Sequence, residues 1–319
     1  EGDVSQVRSA APVPHLARFH GIDAPSAVWL GATSPIVVMH LVAGAHNDAL
    51  MIGLTCASLW AAVCGKRWSS FVLVALALAV KPVAIVALPF VAYQCAAGAT
   101  VRNRIVAGMQ AVAVCAATLV SLSWILNVGP LGWLEALATP GSVRSWLSPM
   151  TGIGIGWGAF MQALGFAHFM DISITITRVI GSLTLGITLM YLALRPGGRS
   201  ATRSTALCFG ALVLLGPAVQ PWYLLWALPL FAVTGLSRNQ VRECITMAAL
   251  FTVHGVANSA ATADTFIEFS DGLAILAAAV ILALVVVASR RERAFILDAE
   301  AMKPTTAQNA ATAIQARLA

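Results

Sequence analysis

Long apolar runs, each closed by a short polar or basic cluster, fill the chain from about residue 25 to residue 289. They are rich in Ala, Leu and Val and do not alternate apolar with polar positions, which predicts helices rather than strands. Read as membrane helices they give ten spans: 25–43, 49–64, 69–80, 83–98, 105–126, 172–194, 204–219, 222–236, 243–260 and 272–289. Spans two to four are short, roughly 18–24 Å of helical rise against a hydrocarbon core of about 30 Å. A recessed outer surface with Lys81 at its floor is the expectation there.

The runs divide the chain into blocks. Residues 1–24 read as a polar cytoplasmic lead-in, and 25–126 as five transmembrane helices with two outward-facing turns. Residues 127–170 carry Trp133, Trp146, Trp157, Phe160, Phe166 and Phe169 with few charges, the composition of an outer interfacial segment. Residues 171–289 supply five further helices and 290–319 a cytoplasmic tail. The chain opens Glu1-Gly-Asp with neither an initiator Met nor a basic leader, so a fragment or processed form of a longer polypeptide is expected.

Composition sharpens the class. Only 10% of the 319 residues are charged and 59% are hydrophobic, against about 25% charged in a soluble domain. The expected fold is therefore an all-α, polytopic transmembrane bundle. The net charge of +6 is no nucleic-acid footprint, because the Lys and Arg residues sit in clusters between apolar runs. With ten alternating spans, sixteen Lys and Arg residues fall on one side and only Lys81 and Arg144 on the other, Arg178 lying within a span. That asymmetry makes the chain a multi-pass plasma-membrane protein with both termini cytoplasmic. Membrane lipids are its expected surroundings. The six cysteines lie in or at the ends of spans without metal-ligand spacing, so neither disulfides nor zinc are expected.

The polar residues that interrupt this pattern are the candidates for chemistry. His46-Asn47-Asp48 breaks an apolar run that stretches from Ala27 to Cys64. The chain is expected to turn at Gly44–Asp48, with Asp48 at the start of the returning helix. Asp48 then reads either as a helix cap or, with His46, as an acid–base pair that positions a substrate hydroxyl. Asn47 is a binding group beside them. Lys81-Pro82 stops the third run, and its ammonium reads either as a snorkelling cation or as a ligand for an anionic phosphate at the membrane surface. Gln220-Pro-Trp222-Tyr223 stops the seventh, either as an aromatic-belt anchor or as an active-site rim on which a sugar or headgroup stacks. Thr151-Gly-Ile-Gly-Ile-Gly-Trp-Gly158 lacks the strand–helix context of a phosphate loop and reads as a flexible loop or close helix packing. Asp264, Glu268 and Asp271 read as a solvated outer loop. Any enzyme here takes a membrane-borne substrate, because no nucleotide motif or soluble catalytic domain is present in the sequence.

Ser34-Pro35, Gly44-Ala-His-Asn-Asp48-Ala-Leu-Met-Ile-Gly53, Val80-Lys81-Pro82 and Gln220-Pro-Trp-Tyr-Leu-Leu-Trp226 occur in that order. Over roughly residues 15–290 the chain resembles the actinobacterial polyprenol-phosphomannose-dependent α-1,6-mannosyltransferases of lipomannan and lipoarabinomannan synthesis, members of the GT-C superfamily. The resemblance implies a polyprenyl-phosphate-mannose donor and a phosphatidylinositol-anchored mannan acceptor. It implies inverting transfer at the outer membrane face, with a carboxylate base, Lys81 at the donor phosphate, and no metal or other cofactor. It also implies further spans and an acidic residue upstream of residue 1, with Asp48 acting as the base or supporting it. The competing reading is a secondary transporter or lipid flippase, which would place ionisable groups near the midplane and show internal repeats. Here the polar groups gather at one face and no repeat is evident.

Overall fold

The computed structural model describes residues 12–43, 46–96, 100–128, 147–166, 168–195 and 197–259. Every regular element among them is helical. The chain forms two compact units, one from residues 1–49 with 228–319 and the other from residues 50–227.

The first unit begins with α1 (Pro12–Phe19), which lies inside the expected lead-in and buries Leu16 and Ala17. Its connection to α2 (Ala24–Ala32) ends at Asp23, whose Oδ2 accepts the Ser26 amide at 2.9 Å and the Ser26 hydroxyl at 2.6 Å. That carboxylate takes up donors the first helical turn leaves unpaired. Pro35 cannot donate to the preceding turn, so the helix breaks and continues at 41° as α3 (Pro35–Val37) and a π-helical turn, Val38–Ala43. His40 in that turn is buried, with Nε2 3.4 Å from the Phe251 carbonyl of the last described helix, Arg238–Ser259. Gly31 allows α2 to meet Pro229, whose Cα would stand only 2.8 Å from a Cβ at that position.

His20, between α1 and α2, illustrates what this packing costs. Burial alone lowers its pKa from 6.5 to about 4, and Nε2 is shielded without a hydrogen-bond partner among the described residues. The folded state thus holds the imidazole neutral where the unfolded chain would protonate it. Its stabilising contribution is complete above about pH 6.5 and is lost as pH falls toward 4, by roughly 3 kcal/mol at most. Thermal melts in detergent between pH 7 and pH 4.5 should show this slope, and His20→Asn should flatten it. An equal slope in the variant would contradict the assignment.

The second unit opens with the body of α4 (Asp48–Val63), followed by α5 (Arg67–Val80). Two fully buried serines pin this hairpin reciprocally: Ser58 Oγ donates to the Ser70 carbonyl at 2.8 Å and Ser70 Oγ to the Ser58 carbonyl at 2.9 Å. A 3₁₀ turn (Pro82–Ala87) leads into α6 (Leu88–Gln94), and then comes α7 (Val101–Ile125). Next stand α8 (Pro149–Ala163) and α9 (Phe169–Leu194), which pack against each other along most of α8. Then come α10 (Ala201–Leu215), a 3₁₀ turn (Pro221–Tyr223) and α11 (Leu224–Thr234), the latter passing from this unit into the first.

The expected count of about ten spans is not met. Among the described residues only α7 and α9 are long and apolar enough to cross a membrane, or three segments if the bent Ala24–Ala32 and Pro35–Leu41 pair is one span. The 25 and 26 residues of α7 and α9 rise roughly 37–39 Å, enough for a hydrocarbon core of about 30 Å. By contrast α4, α5, α10 and α11 have 16, 14, 15 and 11 residues, at most about 24 Å. The expected span 83–98 divides into a 3₁₀ turn and the seven-residue α6. The helix Arg238–Ser259 is long but carries Arg238, Arg242 and Glu243 and does not qualify. The expected span 272–289, the tail and the 264–271 carboxylates lie outside the described residues, as do residues 129–146 of the aromatic segment, Trp133 and Trp146 among them.

The glycine-rich stretch settles differently from a loop. Thr151–Gly158 lies within α8, and Gly154 and Gly158 form the seam against α9. Small residues four apart let two helix backbones approach closely, as in membrane helix pairs.

Candidate functional site

The break after α5 places Lys81. The helix ends at Lys81 in extended backbone (φ −147°, ψ 124°), because Pro82 disfavours helical geometry in the residue before it. The half-buried side chain reaches an aromatic pair from the far end of the unit. Its Nζ lies 5.7 Å from the Tyr223 ring centroid and 5.7 Å from that of Trp226. The two rings stack at 3.9 Å with 25° between their planes. An ammonium over aromatic faces is held by the ring quadrupoles, worth about 1 kcal/mol or more when desolvated.

The Gln220-Pro-Trp-Tyr segment is built by a second break. α10 ends at Gly216 in extended backbone, and the chain runs without regular structure to Gln220, itself extended, before Pro221–Tyr223 makes a 3₁₀ turn closed by the Tyr223 amide on the Gln220 carbonyl at 2.9 Å. Gln220 and Trp222 are half-buried, and Trp222 meets Tyr223 edge to face at 6.1 Å. The carbonyls exposed by this break are captured by α8. Ser148 Oγ donates to the Gly216 carbonyl at 2.8 Å, and Thr151 Oγ1 to the Pro217 carbonyl at 2.6 Å. Arg178 of α9 donates through Nε to Thr151 Oγ1 at 2.9 Å. The arginine inside the span therefore braces, through one buried hydroxyl, the segment that carries Tyr223 and Trp226.

This brace makes a direct prediction. Thr151→Val keeps the shape but removes the hydroxyl, leaving the Pro217 carbonyl and Arg178 Nε without it. Stability should fall by about 1–3 kcal/mol, whereas Thr151→Ser should remain near wild type. Equal melting temperatures for the Val and Ser variants in detergent would refute the brace.

The other predicted residues stand at the start of α4. Asp48 is its first residue and the acidic group of its first turn, fully buried where the helix dipole favours negative charge. His46 is half-buried and Asn47 exposed in the preceding turn. Asp48 belongs to the first unit and Lys81, Gln220, Trp222 and Tyr223 to the second, so the close geometry on view is that of Lys81 with the aromatic pair. Trp226, Thr151 and Arg178 were named in the sequence but given no role at the site. Trp226 follows Tyr223 at i+3, the spacing of one helical face, and that was the readable signal. The Thr151 contacts cross 27 and 66 residues and had none.

Comparison with known proteins gives one answer from both halves of the chain. A family model described as "Alpha-(1->6)-mannopyranosyltransferase, N-terminal domain" matches residues 4–97, and one described as "MptB C-terminal domain" matches residues 150–289. The "Probable alpha-(1->6)-mannopyranosyltransferase" of Mycolicibacterium smegmatis is 33% identical over 311 residues, covering 87% of this chain and 55% of the relative. An alpha-(1->6)-mannopyranosyltransferase of Mycobacterium tuberculosis is 29% identical over 331 residues, covering 86% and 55%. Alpha-(1->6)-mannopyranosyltransferase A of the same organism is 31% identical over 237 residues, covering 72% and 46%. The chain thus spans about half the length of the curated relatives it matches. No solved structure matches. With both domain models matched in order and relatives aligned along most of its length, the chain belongs to the alpha-(1->6)-mannopyranosyltransferase family.

Proposed function

We propose that the chain is part of a GT-C-like, multi-pass glycosyltransferase. It moves mannose from polyprenyl-phosphate-mannose to an α-1,6-mannan acceptor on a phosphatidylinositol anchor, as in lipomannan and lipoarabinomannan backbones. The observation that carries the donor assignment is Lys81, extended at a helix break and aimed across the Tyr223–Trp226 stack. An ammonium placed at a helix break beside two stacked rings is suited to a lipid phosphate that gains charge as its bond to the sugar breaks. The names of the relatives make α-1,6-mannosyl transfer the reaction class.

On this reading the acceptor 6-hydroxyl attacks the anomeric carbon as the bond from that carbon to the phosphate oxygen breaks. The leaving group departs as polyprenyl phosphate against Lys81, and configuration inverts. The hydroxyl proton passes to a carboxylate, with Asp48 as base or as its support and His46 beside it. Asn47 and Gln220 bind hydroxyls, and Trp222 and Tyr223 stack on the sugar. The site faces outward and both termini are cytoplasmic. The transporter alternative is set aside because the family model over residues 4–97 and the relatives above carry the transferase description.

Asp48→Asn tests the assignment at the other end. In membranes supplied with labelled donor and a short α-1,6-mannoside, transfer should fall at least about hundredfold with donor KM little changed, as for loss of a general base. Transfer within threefold of wild type would remove Asp48 from the reaction.

A further inference from the structure

The end of α5 opposite Lys81 carries a second, separate cluster of cations. From Ala49 to Leu134 the sequence contains no Asp or Glu, yet it holds Lys66, Arg67, Arg102 and Arg104 beside Lys81. Two of the four are fixed on the last turn of α6 by neutral groups. Arg67 donates through Nη2 to the Cys95 carbonyl at 2.8 Å and through Nη1 to Gln110 Oε1 at 3.1 Å. Arg104 lies over the Tyr93 ring, 3.9 Å from its centroid. Tyr93 Oη beneath it is shielded and has no hydrogen-bond partner among the described residues. The other two cations, Lys66 and Arg102, are exposed and have no side-chain partner there.

None of these contacts neutralises charge. The guanidinium groups are ordered by a carbonyl, an amide and a ring, so among the described residues four positive charges stand without an internal counter-ion. Like charges gathered this way repel unless an anion from outside joins them. The surroundings indicate where that anion resides. Trp68, Val101 and Ile105 beside the cluster are 58%, 70% and 57% exposed, an apolar collar at the start of the membrane-length α7. Apolar side chains that face lipid next to unpaired cations match an acyl chain below and a phosphate above.

We infer that Lys66, Arg67, Arg102 and Arg104 form a binding site for the phosphate of an anionic phospholipid headgroup, with Arg67 and Arg104 prearranged and Lys66 and Arg102 closing from the surface. The site lies about 20 Å along α5 from Lys81, so it is distinct from the proposed donor site and does not depend on it. It ties this end of α5, α6 and α7 to a leaflet rich in anionic lipid.

The test is native mass spectrometry of the full chain from detergent doped with equal phosphatidylglycerol and phosphatidylcholine. Wild type should retain the anionic lipid with roughly tenfold preference or more. Lys66→Gln/Arg102→Gln touches no internal contact, so it should fold and lose most of that preference. Arg238→Gln/Arg242→Gln removes the same charge elsewhere and should keep it. Equal loss in both double variants, or undiminished preference in Lys66→Gln/Arg102→Gln, would overturn the site. Displacement of the lipid by inorganic phosphate beyond that by chloride at equal ionic strength would make it a site for a soluble anion and overturn the lipid assignment.

Discussion

Lys81→Ala should lower kcat/KM for mannosyl transfer by about 10²–10³-fold, the usual loss when a preorganised charge is removed from a developing anion. The size follows from the setting. Lys81 is half-buried, fixed in extended backbone by Pro82, and held 5.7 Å from each of two stacked rings. On the proposed reading, removing it leaves the donor phosphate to gain charge beside two aromatic faces that present negative potential. Lys81→Arg restores charge without the compact ammonium and should recover part of the rate. Tyr223→Leu keeps the charge and loses part of the cradle, so it should act mainly on donor KM. Initial rates against lipid-linked donor in detergent check all three. Rates within threefold of wild type for Lys81→Ala would take the phosphate away from this lysine.

The second large effect is structural. Gly154→Leu should abolish the pairing of α8 with α9, a loss above about 3 kcal/mol and beyond ordinary overpacking. A Cβ at Gly154 would stand 2.7 Å from the Ile174 Cα and 2.5 Å from Thr177 Oγ1, and one at Gly158 would stand 2.8 Å from the Met170 Cα. Backbone atoms cannot swing aside as a flexible side chain can, so the helices must separate. Separation would also pull Thr151 from Arg178 and release the Gly216–Gln220 segment. Gly156 lies between them with nothing within 4 Å of a Cβ. Gly156→Leu is therefore the control and should melt near wild type. Matching melting temperatures for the Gly154 and Gly156 variants would disprove the seam.

The parts legible in the sequence were those set by local chemistry. Non-alternating apolar runs gave helices. Pro82 and Pro221 marked breaks because proline cannot supply the amide a continuing helix needs, and the polar turn before Asp48 marked the start of α4. The span count failed because apolar runs already short for the hydrocarbon core were still counted as crossings, and the helices they form stay short. α5 has 14 residues against 25 in α7, and only α7 is long enough to cross. The glycine stretch left two readings open, and only the partner backbone at Ile174 and Met170 decides between them. The brace from Arg178 through Thr151 to Pro217 was out of reach, since three hydrogen-bonding residues on separate elements leave no spacing signal. Trp226 stood in a recognised motif, but its pairing with Tyr223 over Lys81 required coordinates.

The donor is the centre of the account, and discrimination between donors measures it most directly. Washed membranes containing the protein would receive a short α-1,6-mannoside acceptor with either radiolabelled polyprenyl-phosphate-mannose or radiolabelled GDP-mannose, polyprenyl-phosphate-mannose synthesis being blocked. Label is expected in the extended mannoside from the lipid-linked donor alone, and it should be lost in Lys81→Ala. Label from GDP-mannose, or none from a verified lipid-linked donor, would contradict the donor assignment.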